Sequence, residues 1–154
     1  MYCVLDDLIE AKDLRTISQL SNDESNPTQP DENVVNLNIQ KACNVIDSFI
    51  SGRYATPLQF VPGIIKDICI DLTVYNLYTR RNREISKESA VYLDHQAAMD
   101  ILKRISEKKI NLSGVPEVQG SPTVQNGAIR TNKKRSDRYF NSYVMRGYNG
   151  TGWN

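Results

Sequence analysis

Residues 31–52, DENVVNLNIQKACNVIDSFISG, decide the fold. Val35, Ile39, Ala42, Cys43, Ile46, Phe49 and Ile50 recur at the spacing of one helical face, while Gln40, Lys41, Asn44, Asp47, Ser48 and Ser51 fall mostly off it. Asp31 is placed to cap the start of this helix and Gly52 to end it. A helix with one apolar stripe has to bury it against other elements, so its neighbours determine the architecture.

On the C-terminal side, Arg53-Tyr-Ala-Thr-Pro-Leu58 reads as a turn, because Pro57 keeps Thr56 out of helical geometry. Pro62 then suits the first turn of a helix running from about 62 to 82. Ile64, Ile65, Ile68, Cys69, Leu72, Tyr75, Leu77 and Tyr78 leave little of its surface polar, which makes it the central helix. Arg80, Arg81 and Arg83 close it with favourable dipole chemistry. Asp71 is out of place on such a helix; a buried carboxylate needs a partner, and Arg53 is the expected one. A third long helix is expected to start at an N-cap Ser86, to carry Ala90, Leu93, Ala97, Ile101, Leu102 and Ile105 on its inner face, and to end at Lys108-Lys109. Ala97 and Ala98 would permit close packing on the central helix.

On the N-terminal side, residues 4–10 and roughly 12–20 read as two short helices, the second carrying Leu14, Ile17 and Leu20. The polar stretch 21–31, with two prolines, is a loop. The expected fold is therefore all-α: a bundle of three long helices preceded by two short ones, occupying residues 1–112. Beyond Leu112 the pattern changes. Residues 113–127 mix Gly, Pro, Ser and isolated valines, and residues 113–154 are expected to form an extended basic and aromatic arm.

Charge divides the chain at the same place. Residues 1–111 carry 13 Lys/Arg against 16 Asp/Glu, whereas residues 112–154 carry 6 against 2. The arm gathers Arg130, Lys133, Lys134, Arg135, Arg138 and Arg146 with Tyr139, Phe140, Tyr143, Tyr148 and Trp153. Arginine beside aromatic residues is the composition of protein–protein hot spots, and also of surfaces that stack on single-stranded nucleic acid. At about 3.3 Å per residue the arm could reach roughly 100 Å, far beyond a body about 35 Å across, so these residues are expected to bind a partner.

Catalytic chemistry finds little support. His95 is the single histidine, so a multi-histidine metal site is excluded, and it reads as a packing or surface residue. Cys3, Cys43 and Cys69 are widely spaced, show no C-x-x-C pattern, and argue against a disulfide framework. Cys43 and Cys69 lie on apolar stripes, where cysteine acts as a small hydrophobe. No P-loop or dinucleotide-binding glycine pattern is present, and Asp6-Asp7 reads as helix-start electrostatics. No enzyme activity, cofactor or metal is expected. No apolar run approaches the ~20 residues of a membrane span, and the N-terminus lacks the charged and apolar regions of a signal peptide.

The string Ala42-x3-Ile46-Asp47-Ser48-Phe49-Ile50-x2-Arg53-Tyr54-x2-Pro57-Leu58 resembles a family of small virion proteins from Mu-like phages and prophages. The start Tyr2 to Leu8, the stretch Gln19 to Asp23, Val61-Pro62, and Asp71-Leu72-x2-Tyr75-x-Leu77-Tyr78-x-Arg80 extend the resemblance over residues 2–112. It implies a helical head–tail connector (adaptor or head-completion) subunit. Such subunits form a ring, commonly twelve-fold, between the portal and the neck or tail-terminator proteins of the virion. DNA would pass through the ring's channel without sequence-specific binding. It also implies that Arg53, Tyr54 and Pro57 are architectural, fixing the turn between two long helices; Asp47, Leu58 and Asp71 belong to the same motif. The competing reading is a nucleic-acid-binding packaging or regulatory protein whose basic arm contacts phosphates. The acidic body, which has no basic recognition helix, counts against it.

Overall fold

A computed structural model describes residues 1–24, 26–81 and 85–118. Among them the chain forms five helices: α1 (Leu5–Lys12), α2 (Leu14–Ser21), α3 (Glu32–Ile50), α4 (Gly63–Arg81) and α5 (Ala90–Ser106). The protein is all-α. Helix α4 packs against each of the other four, α3 and α5 also pack on each other, and α1 and α2 close the bundle against α3 and α4.

The stripe on α3 is buried as its spacing requires: Val35, Ile39, Ala42, Cys43, Ile46 and Ile50 all face the core. Asp31 is the cap, its Oδ1 accepting from the Asn33 and Val34 amides at 2.9 and 3.3 Å. The helix stops at Ile50, two residues before Gly52, because the Arg53 and Tyr54 amides both donate to the Ile50 carbonyl at 2.9 Å and wind the chain into a turn. On α4 the buried set is Ile65, Ile68, Cys69, Leu72, Thr73, Val74 and Leu77. Thr73 is tolerated in the core because its hydroxyl donates to the Cys69 carbonyl at 2.7 Å.

Two expectations for the third long helix are corrected. Its cap is Ser89, not Ser86: Ser89 Oγ accepts from the Tyr92 amide at 3.3 Å. Ser86 instead builds a single turn, its carbonyl accepting from the Ser89 amide and hydroxyl at 3.0 and 2.7 Å, which leaves Ser89 extended and starts the helix after it. Glu88 therefore precedes the helix. The inner face is Ala98, Leu102 and Ile105, flanked by Val91, Met99 and Ile101; Leu93 and Ala97 face outward. Ala98, rather than Ala97, makes the close approach. Leu14 is also exposed, so α2 buries Ile17 and Leu20 alone of its expected stripe.

The last turn of α5 reverses sharply. Lys108 takes a left-handed conformation (φ 62°), and the Lys109 and Ile110 amides both return to the Arg104 carbonyl, at 2.9 and 3.3 Å. That reversal sends residues 110–118 back along the α3–α4 turn. At the other end, Arg80 grips Asp23 with Nη2 at 2.9 and 3.0 Å and donates to the Leu20 carbonyl at 3.1 Å, tying the start of the polar loop to α4.

Candidate interaction site

The family string folds into a buried junction. Arg53 is 7% exposed, yet every hydrogen bond of its guanidinium stays inside the protein. Nη1 donates to the carbonyls of Ile105 and Ile110 at 2.9 and 2.8 Å. Nε and Nη2 both donate to Glu117 Oε1, at 3.0 and 2.5 Å, and Nη2 also reaches the Asn111 side-chain oxygen. The guanidinium also lies 5.1 Å from the centre of the Tyr54 ring. The backbone adds to the clasp: the Val118 amide donates to the Arg53 carbonyl at 3.0 Å, and Tyr54 and Glu117 form an isolated antiparallel bridge. Tyr54, itself buried, accepts from the Leu112 amide at 3.0 Å through its hydroxyl. One turn thus holds the end of α5 and the segment directly after it.

Arg53 does not pair with Asp71. Its fork is saturated by the 105–117 segment, which reaches this turn only through the tertiary fold. Asp71 lies half-buried on α4; burial raises its pKa first, the charge of Asp94 adds to that, and Lys12 opposes it. Lys12 itself pairs with Asp94 at 3.9 Å.

A second junction joins the N-terminus to the same turn. The Tyr2 hydroxyl donates to Asp47 and accepts from the Leu58 amide at 3.1 Å, so it bridges α3 to the buried Leu58. Burial, with Asp47 beside it, pushes the Tyr2 pKa up. Asp7 draws Lys66 of α4 to 2.6 Å and accepts from the Val4 amide at 2.9 Å, so it fastens α1 as well as starting it. Lys66 is the main reason the Asp7 carboxyl sits below its ordinary range.

Asp47, Arg53, Tyr54 and Leu58 are therefore brought together with Tyr2, Glu117 and Asn111, whereas Asp71 stands apart. The Thr56–Pro57 peptide is cis, and Pro57 faces solvent. Arg130, Lys133, Lys134, Arg135, Arg138, Tyr139, Phe140, Tyr143, Arg146, Tyr148 and Trp153 lie outside the described residues. Sequence reasoning passed over Tyr2 as a bridge and Glu117 as a partner; an acid and an arginine 64 residues apart leave no local signal.

The surface beside the clasp is apolar. Phe60 is 61% exposed, and with Pro57, Leu58, Val115 and Pro116 it lines a groove of about 620 Å³. Gly114 fits there because its φ is +79° and a Cβ would meet the Phe60 ring at 3.2 Å. His95 stacks on Tyr75 with ring centres 3.8 Å apart, a packing role, and burial lowers its pKa. Among the described residues no group of three or more His, Cys, Asp or Glu is arranged to hold a metal ion, and no helix is long and apolar enough to cross a membrane.

Comparison with known proteins agrees with the string that folds into this junction. The family model described as bacteriophage Mu, Gp36 matches residues 2–131. The Mu-like prophage FluMu protein gp36 of Haemophilus influenzae is 26% identical over 99 residues, which cover 64% of this chain and 66% of that protein, just under two thirds of its length.

Proposed function

Because the chain belongs to the bacteriophage Mu Gp36 family and is thus a phage protein, we propose that it is a structural subunit of the virion neck: a ring-forming head–tail connector that docks on the portal and joins it to the tail. The observation that carries this reading is where the motif residues spend their chemistry. Arg53, Tyr54, Asp47 and Tyr2 direct their polar groups into the protein, so the motif serves rigidity and offers solvent no reactive centre. A rigid body with an apolar groove at Phe60, continuing into a sequence rich in arginine and aromatics, suits a subunit that repeats around a ring and grips its neighbours. The subunit is non-enzymatic in this reading, and DNA passes through the ring unread.

The test is genetic and structural. Phage lacking the protein should accumulate DNA-filled heads and free tails that do not join, and the chain should be found at the neck of complete particles imaged by electron microscopy. Normal tailed particles formed without the protein, or its absence from purified virions, would overturn the proposal.

A further inference from the structure

Cys3 and Cys69 are 66 residues apart in sequence and Cys43 and Cys69 are 26 apart, yet the fold brings all three to one buried point between the N-terminal segment, α3 and α4. The sulfurs of Cys3 and Cys69 lie 3.0 Å apart, those of Cys43 and Cys69 3.9 Å apart, and all three are free thiols. A shared zinc ion does not explain the cluster. Thiolates at ~2.3 Å from a tetrahedral zinc stand roughly 3.7 Å from one another, too far apart for the Cys3–Cys69 contact.

We propose that Cys3 and Cys69 are a modification site: a hydroperoxide converts this pair into a disulfide that fastens the N-terminal segment to α4. Cys3 rather than Cys43 is the partner for two reasons. It is the closer sulfur, and it precedes α1 outside any helix, whereas Cys43 and Cys69 both lie within long packed helices. A disulfide needs its sulfurs at about 2.0 Å, an approach that Cys3 can make by side-chain rotation and a small backbone adjustment without disturbing a helix, because it lies before α1. Met1 and Val4, 61% and 55% exposed, flank the buried Tyr2-Cys3 pair, so a small oxidant reaches Cys3 in local openings that release the Tyr2 hydroxyl from Asp47 and Leu58.

The chemistry balances with one peroxide. With hydrogen peroxide, the Cys3 thiol gives up its proton and the thiolate attacks a peroxide oxygen, breaking the O–O bond and giving a sulfenic acid and hydroxide, which takes up that proton as the first water. The Cys69 sulfur then attacks the sulfenic sulfur, forming the S–S bond and breaking the S–O bond, and the departing hydroxide takes the Cys69 proton to leave as the second water. The sulfurs are oxidised and the peroxide reduced. Contact with Cys69 pulls both the Cys3 and the Cys43 thiols down, whereas contact with those two sulfurs, together with burial, pushes Cys69 up. The first thiolate therefore forms on a neighbour of Cys69; of the two neighbours, Cys3 lies closer to it, at 3.0 against 3.9 Å. This inference does not depend on the neck assignment, though a particle leaving a reducing cytoplasm would meet the oxidant it requires.

The experiment uses the full chain, purified reduced and treated under native conditions with hydrogen peroxide, then denatured and alkylated with N-ethylmaleimide. Intact mass should show the loss of two hydrogens and a single alkylated thiol. Unreduced peptide maps should join the Cys3 peptide to the Cys69 peptide and place the alkyl group on Cys43. The oxidised chain should melt several degrees higher, reversibly with reductant, because the bond constrains a long loop of the unfolded chain. Cys43→Ser should retain the link, and Cys3→Ser should lose both the link and the melting shift. A Cys43–Cys69 link, links between chains, over-oxidised sulfur without a link, or three unreacted thiols would each overturn the proposal. The wild-type map decides the matter even if a variant fails to fold.

Discussion

Arg53 donates through Nε and Nη2 to one and the same oxygen of Glu117, while its Nη1 spans the carbonyls of Ile105 and Ile110. The two ends of this ion pair differ greatly in exposure, 6% for the Arg53 side chain and 51% for that of Glu117. They should therefore respond very differently to mutation.

Arg53→Met should destabilise the protein by about 2–4 kcal/mol, because it takes the guanidinium donor from the Ile110 carbonyl and from the Asn111 and Glu117 side chains. It also leaves the Ile105 carbonyl with only backbone donors such as the Lys108 amide. Arg53→Lys should recover only part of that loss, since an ammonium cannot reproduce the planar fork. Glu117→Gln should cost about 1 kcal/mol or less, as its carboxylate is half in water. Urea denaturation of the three variants checks this ranking. Equal losses at both positions would mean that the charge pair, rather than the carbonyl bonds, holds the clasp.

The same residues show what could be read from the sequence. The α3 stripe is legible because helical period, cap and burial all agree from Asp31 to Ile50. The third long helix starts three residues later than its pattern suggests and turns a different face inward, because Ser86 and Ser89 are both competent caps and Leu93 is apolar yet exposed. Arg53 is recognisable as a motif residue, but its partners are not. Those come from a segment returned by the Lys108 reversal, and a chain reversal at a lysine carries no glycine to announce it. The convergence of the three thiols is hidden for a related reason: Cys3 belongs to no helix, so no periodicity places it.

That reversal yields a stabilising substitution. Lys108 occupies φ 62°, where a Cβ is disfavoured, and it is exposed. Lys108→Gly should raise stability by about 0.5–1 kcal/mol, less a small loss of helix-end electrostatics. A higher urea midpoint with an unchanged slope is the expected result. A lower midpoint would show that the lysine charge outweighs backbone strain.

His95 supplies a pH signature. Its pKa is depressed by burial, and Nδ1 has no hydrogen-bond partner among the described residues. As pH falls through about 6.5 the unfolded chain takes up a proton before the folded one does, so the His95 contribution to stability is lost on acidification. His95→Phe keeps an aromatic ring against Tyr75 and removes this dependence. Between pH 7.5 and 5 the wild-type melting temperature should fall more than that of the variant. Asp71 works in the opposite sense at lower pH, because its raised pKa favours the folded state as it protonates. Parallel melting curves for wild type and variant would exclude His95 as the source.

Truncation separates the contribution of the helical body from that of the chain beyond it. Residues 113–118 carry Glu117, which binds Arg53, and Val118, whose amide donates to the Arg53 carbonyl. A chain ending at Val118 keeps both contacts, and should fold with helical circular dichroism and a melting temperature near that of the full chain. A chain ending at Leu112 loses both and leaves the Arg53 fork partly unpaired, and should be less stable than the 1–118 chain by roughly 1–3 kcal/mol. Neither should restore head–tail joining in phage that lack the protein, since both remove the arginine and aromatic residues of 130–153 on which docking is proposed to depend. Equal stability of the two truncations would show that the Glu117 clasp contributes nothing to the fold. Restored joining by the 1–118 chain would instead assign docking to the body, with the Phe60 groove as its first candidate.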